Sequence, residues 1–262
     1  MIRFILALNL TTSSAVALPA GSEAAQTRIP GGHYTPFLLR PSAKSGESDR
    51  FRRSPVVVAP FTLDRDLVTN EAFLKFVTAN SQWRKSIIKT IFADEHYLKR
   101  WKSDLDSSFE RNRPVINVSW FAANAFCESR GLTLPTTDQW EYAFHDQGRE
   151  EAKLREKVLT WYGQPTPKRL ASLRSGEANG FGIYDLSSVV WEWTLDFNSF
   201  IAGEELRESG GKDKALFCGG GSMGTLDSSD YPAFMRFSFR ASLKAAYTTS
   251  NLGFRCAGEA TP

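Results

Sequence analysis

The chain has 262 residues, 42% of them hydrophobic and 23% charged, with a formal net charge of +3. That suits a soluble domain able to bury its own core, and the charge is too small to hold nucleic acid or an acidic membrane surface. Aromatic residues reach 13%, seven of them tryptophan, which favours an irregular, ring-packed interior with few long helices.

Residues 1–20 have the pattern of an export signal. Arg3 precedes the apolar run Phe4 to Leu8, and small residues follow at Ala15 to Ala17 and Leu18 to Ala20. A periplasmic or secreted protein is therefore expected, with residues 21–26 as linker and 27–258 as the domain. No other run approaches the ~20 apolar residues of a membrane helix, so no membrane span is expected.

Next, "RIPGGHYTPF" predicts a strand with a glycine turn, and "SAKSGESDRFRRS" a polar connector. "PVVVAPFTL" is a β-branched strand signal. In "TNEAFLKFVTAN", Thr69 or Asn70 caps a helix with Phe73, Phe76 and Val77 on one face. Residues 81–113 are basic and aromatic, interleaving Arg84, Lys85, Lys89, Lys99, Arg100 and Lys102 with Trp83, Phe92, Tyr97 and Trp101. A nucleic-acid groove can look like this. An amphipathic helix with a solvated basic face is preferred, or a face that docks a partner.

Ser119 caps the next helix, with Ala122, Ala125, Phe126 and Ser129 at helical spacing and Gly131 closing it. "LTLPTTDQWEYAFHD" repeats the logic, with a cap at Thr136 or Thr137. Glu141 lies there between core aromatics, and a buried ion pair with Arg255 is expected. The remainder is glycine-rich and loop-heavy, with few helix signals.

Cys127, Cys218 and Cys256 form no C-x-x-C pair, so a zinc cluster is not expected. In an oxidising compartment they partition into one disulfide and one free thiol. His33, His96 and His145 make no metal-binding spacing, "GGGSMG" has no following lysine, and Ser119 and Ser222 lack a nucleophile elbow.

The stretch "GFGIYDLSSVVWEWTLDF" places Asp185 and Glu192 in the most apolar part of the chain. Burying a carboxylate unpaired is costly. Either a hard cation satisfies these two, or backbone amides and arginines such as Arg240 and Arg255 do so.

"PVINVSWFAANAFCESRGLTLPTTDQWEYAF", "NGFGIYDLSSVVWEWTLDF", "GGGS" and "NLGFRCA" occur in that order over residues 27–258. Together they resemble the formylglycine-generating enzyme, or sulfatase-modifying-factor, family. The resemblance implies an α+β, C-type-lectin-like fold with little regular secondary structure. It implies a calcium ion held by the side chains of Asp185 and Glu192 and the carbonyls of Ser188 and Val190. Here "SSV" stands where the family has "x-GN". It also implies a disulfide between Cys127 and Cys256.

Formylglycine formation in the family uses two cysteines to hold Cu(I), a soft-ligand site. Those positions fall at Thr225 and near Arg236, so copper at the family site, and formylglycine generation with it, is not expected. Ser222, Thr225, Asp230, Tyr231 and Arg236 remain as a polar groove, with Cys218 a candidate redox thiol beside it. "IPGGHYTPF", "FCGGGS" and the 83–101 excursion are similar to exported proteins encoded beside copper nitrite reductases. The expected function is an accessory or maturation factor for a partner, such as a copper nitrite reductase or another exported enzyme. The alternatives are an oxidoreductase of the same family acting on a protein or peptide, and a lectin-like binding module.

Overall fold

The computed structural model describes residues 25–35, 55–107, 110–145, 151–198 and 231–260. The polar connector, Cys218, Ser222, Thr225 and Asp230 lie outside these residues, as does the segment read as an export signal. Strand β1 (Gln26–Ile29) pairs antiparallel with β4 (Phe61–Asp64), which pairs antiparallel with β7 (Ala257–Glu259). The first and last strands thus flank one central strand, tying the two ends of the domain together. β2 (Gly32–Tyr34) pairs antiparallel with β3 (Val56–Val58). β5 (Trp191–Glu192) runs parallel to β6 (Leu252–Gly253).

The single strand expected over 55–63 is two, β3 and β4, because Pro60 cannot donate to a ladder. Gly31 allows the approach that follows. A Cβ there would stand 2.7 Å from the Val58 carbonyl and 2.8 Å from the Pro60 ring.

Helix α1 (Asn70–Ala79) is capped by Thr69, whose hydroxyl accepts from Ala72 N, and it buries Phe73, Phe76 and Val77. Helix α2 (Trp120–Glu128) is capped in the same way by Ser119. Gly131 follows it at φ 70°, the left-handed conformation that ends helices cheaply. At α3 (Thr137–His145) the cap is reciprocal. Gln139 N donates to Thr136 Oγ1, and Thr136 N donates to Gln139 Oε1, a capping box.

The sequence-based view missed two helices, α4 (Glu151–Tyr162) and α5 (Tyr231–Ser242). The composition "EAKLREKVLTWY" is rich in strong helix formers and carried the signal for α4. The helix expected within the basic excursion does not form. Apart from a 3₁₀ turn at Ser81–Trp83, residues 81–107 run as successive hydrogen-bonded turns. Rings hold them in place: Phe76 on Trp83 at 6.4 Å, and Trp83 on Phe92 at 5.8 Å.

The main core joins α1 and α2 to the C-terminal strands through Phe73, Phe126 and Phe254, with centroids 5.4–6.1 Å apart. Within it Cys127 and Cys256 form a disulfide across 129 residues of sequence, as the resemblance implied. Closing so long a loop restricts the unfolded chain and contributes about 4–5 kcal/mol in the chain-entropy description. Urea unfolding with and without reductant should therefore show a matching loss of stability, and an unchanged midpoint would contradict it. Among the described residues, no helix is long and apolar enough to cross a membrane.

Candidate functional site

Two buried carboxylate centres stand out among the described residues. The first is the 185–192 turn. Asn179 builds its entrance: its Oδ1 accepts from Phe181 N and Ile183 N, and its Nδ2 donates to the Ala143 carbonyl at 2.8 Å. Asp185 and Ser187 adopt left-handed backbone, φ 60° and 50°, whereas Ser188 does not. The missing family glycine therefore costs nothing at Ser188, and the strain falls on an aspartate, a type that tolerates this region, and on Ser187.

Asp185 is buried, and its carboxylate accepts from Arg174 N at 2.5 Å, Ser175 N at 3.1 Å and Ser175 Oγ at 3.0 Å. Glu192 faces Arg255 in a two-pronged pair, Nε to Oε2 at 2.6 Å and Nη2 to Oε1 at 3.0 Å, with both side chains fully buried. Each carboxylate oxygen can accept more than one partner. The turn also holds Ser188 Oγ, a buried hydroxyl with no hydrogen-bond partner among the described residues. Oxygen ligands of this type are those calcium takes, while here both Glu192 oxygens already face Arg255 and Asp185 already accepts from three donors.

The second centre is Glu141 on α3. Arg236 and Arg240, one turn apart on α5, converge on it. Arg236 donates through Nε at 3.1 and 3.2 Å and through Nη2 at 3.0 Å, and Arg240 Nη1 donates at 2.5 Å. His145 Nε2 stands 3.6 Å from the same carboxylate. Burial by itself would raise the Glu141 pKa, but the two guanidinium charges outweigh it and hold the group well below its ordinary range. The arginines also lie over rings, Arg236 over Phe144 at 4.3 Å and Arg240 over Trp140 at 4.8 Å. Beside them Trp191 stacks on Phe239 at 4.3 Å and on Tyr162 at 4.9 Å.

The pairing of Glu141 with Arg255 expected from sequence is thus corrected, and so is the assignment of Arg240 to the 185–192 turn. Of the two arginines offered for that turn, Arg255 does serve it, through Glu192, because it follows β6 into the turn, while Arg240 goes to Glu141 because α5 lies against α3. The i,i+4 spacing of Arg236 and Arg240 was the available signal for a shared partner.

Of the groove residues, Tyr231 opens α5. Arg236 is only 3% exposed and already engaged by Glu141. Where the resemblance places the second copper thiol, the chain has a buried ion pair. Such a pair fixes the packing of α5 on α3 and holds its charges away from solvent. Among the described residues, no group of three or more His, Cys, Asp or Glu side chains is arranged to hold a metal.

The model of the sulfatase-modifying factor enzyme 1-like domain matches residues 11–260. The chain is 26% identical to inactive C-alpha-formylglycine-generating enzyme 2 of Mus musculus, over 98% of this chain and 92% of that protein. It is 26% identical to formylglycine-generating enzyme of Bos taurus, over 94% of this chain and 78% of that protein. Among solved structures it is similar to PvdO from Pseudomonas aeruginosa, with a TM-score of 0.51, 14% identity, and coverage of 90% and 94% of the two chains. It is likewise similar to CarF, with a TM-score of 0.50, 16% identity, and coverage of 91% and 99%. With a family model spanning nearly the whole chain, on an irregular α+β fold shared with those structures, this protein belongs to the sulfatase-modifying factor (formylglycine-generating enzyme) family.

Proposed function

We propose that the chain is an exported accessory or maturation factor that works by binding a partner enzyme, a copper oxidoreductase such as a nitrite reductase, and does not generate formylglycine. The observation that carries the loss of formylglycine chemistry is the Glu141–Arg236–Arg240 cluster. A guanidinium buried against a carboxylate gives no soft ligand for Cu(I), and its positive charge repels the ion. Similarity to formylglycine-generating enzyme 2, whose mammalian forms are named as inactive, agrees with this.

The surface offered to the partner is the 81–107 excursion, where Ile87, Ile91 and Phe92 are exposed beside Lys89. Two measurements test the proposal. Purified protein supplied with Cu(I) and oxygen should leave a cysteine-containing sulfatase peptide unchanged by mass, and an aldehyde product would overturn it. In titration calorimetry it should bind the purified apo copper oxidoreductase, and Ile91→Asp should weaken that complex. A flat titration with the intact chain refutes the accessory role.

A structural calcium is part of the same proposal, on the carboxylates of Asp185 and Glu192 and the carbonyls of Ser188 and Val190. Ca²⁺ added to metal-stripped protein should release heat and raise the thermal midpoint. No heat and no shift would remove calcium from the account. Cys218 is retained as a candidate thiol of the same groove, for which alkylation before and after partner binding reports accessibility.

A further inference from the structure

Away from both carboxylate centres, a cavity of about 390 Å³ opens between the excursion and the segment leading into β6. None of its lining residues belongs to the Glu141 cluster or to the 185–192 turn. Its size is in the range of small-molecule sites.

The wall is held from behind. Asp94 accepts from His96 N at 3.0 Å and Thr248 N at 3.1 Å and also bonds the Thr248 hydroxyl. Asn117, buried at φ 55°, donates through Nδ2 to the Thr248 carbonyl at 2.8 Å. Leu98, buried behind Lys99 and bonded through its N–H to the Asn117 carbonyl at 2.8 Å, is also left-handed, at φ 45°. Backbone strain of this kind, at Asn117 in the wall and Leu98 behind it, concentrates where a site is being shaped.

Three sorts of group are left unspent. Thr249 Oγ1 is buried with no hydrogen-bond partner among the described residues, and leaving a hydroxyl so costs free energy. Lys99 is exposed and has no ion-pair partner among the described residues; His96 shares its wall, with its Nε2 3.8 Å from Glu95 Oε1. Tyr247 presents a ring that is 37% exposed, next to Ser250. Asp94 lines the same cavity and keeps its negative charge, but three donors hold its carboxylate against Thr248 and the His96 amide, so the anionic end of a ligand is placed at Lys99.

We infer that this cavity binds a small polyhydroxylated anion of the sugar-phosphate or sugar-acid class. Lys99 takes the anionic group, Thr249 and Ser250 take hydroxyls, and Tyr247 supplies a flat apolar face. A free phosphate fills only part of the volume, and a neutral sugar leaves the ammonium unused.

The test is titration calorimetry of the full chain with glucose 6-phosphate, glucose and inorganic phosphate. Glucose 6-phosphate should bind more tightly than either of the others. Lys99→Ala should weaken it roughly tenfold or more, the scale of a charge-assisted hydrogen bond. Thr249→Val, nearly the same shape, should weaken it by a smaller factor. Both variants should keep the wild-type thermal transition, since Lys99 is exposed and Thr249 Oγ1 bonds nothing among the described residues. Absence of binding, equal binding of glucose and its phosphate, or wild-type affinity in Lys99→Ala would each overturn the assignment. None of these results bears on partner binding, which the oxidoreductase titration reads separately.

Discussion

Glu141→Gln should lower the unfolding free energy by about 3–5 kcal/mol, the cost of leaving buried charges without their partner. The expected fall in thermal midpoint is on the order of 10 °C for a chain of this size. The reason is stoichiometric. One carboxylate faces two nearly buried guanidinium groups, so neutralising it takes that counter-charge from both. Arg236→Ala should cost less, because Arg240 and His145 still face Glu141. Replacing all three residues with apolar ones of similar volume (Glu141→Met, Arg236→Met, Arg240→Leu) should recover most of the loss, as buried ion pairs often permit. If the triple variant is as unstable as Glu141→Gln, the cluster is not acting through charge.

The same cluster sets an acid limit. The folded-state pKa of Glu141 lies below its ordinary 4.5. Its contribution is therefore fully present above about pH 4.5 and is lost as pH falls through the lower folded value. Denaturant midpoints followed below pH 4.5 should decline more steeply for the wild type than for Glu141→Gln.

Local chemistry was legible in the sequence, and long-range partnership much less so. Thr69, Ser119 and Thr136 could be recognised as caps because a hydroxyl three residues before a free amide is a local fact. The apolar face of α1 followed from its spacing. The insert resisted because its periodicity was weak, and ring packing, not helix propensity, decided its path. The two carboxylates could be singled out by composition alone, since acids inside an apolar run demand partners. Which arginine served which acid could not be read. Glu192 and Arg255 lie 63 residues apart, and Glu141 and Arg236 lie 95 apart. Only the placement of α5 against α3 separates these pairings. Similarly, the lost glycine at Ser188 looked like a backbone problem. The structure moves the left-handed positions to Asp185 and Ser187, so the substitution is accommodated. The cavity beside Thr249 had no sequence signature, because its walls come from three separate segments of the chain.

Arg255→Met should be comparably damaging, again about 3–5 kcal/mol, because it leaves Glu192 charged and fully buried. Arg255 does more than neutralise. Its Nη2 also donates to the Tyr184 carbonyl at 3.0 Å, and its Nη1 reaches the Asp64 and Arg65 carbonyls at 3.2 and 3.3 Å. One guanidinium thus ties the end of β4 to the turn that carries Asp185. Arg255→Lys should rescue little of this, since a single ammonium cannot reproduce a planar fork with five donors. Calcium supplies a second axis to the experiment. If Glu192 contributes to a cation site as proposed, excess Ca²⁺ should restore part of the stability that Arg255→Met loses, because the ion then stands in for the missing positive charge. Magnesium, smaller and reluctant to shed its water, should restore less. A variant that ignores both ions assigns Glu192 to Arg255 alone, and the turn then stands as a purely protein-made brace.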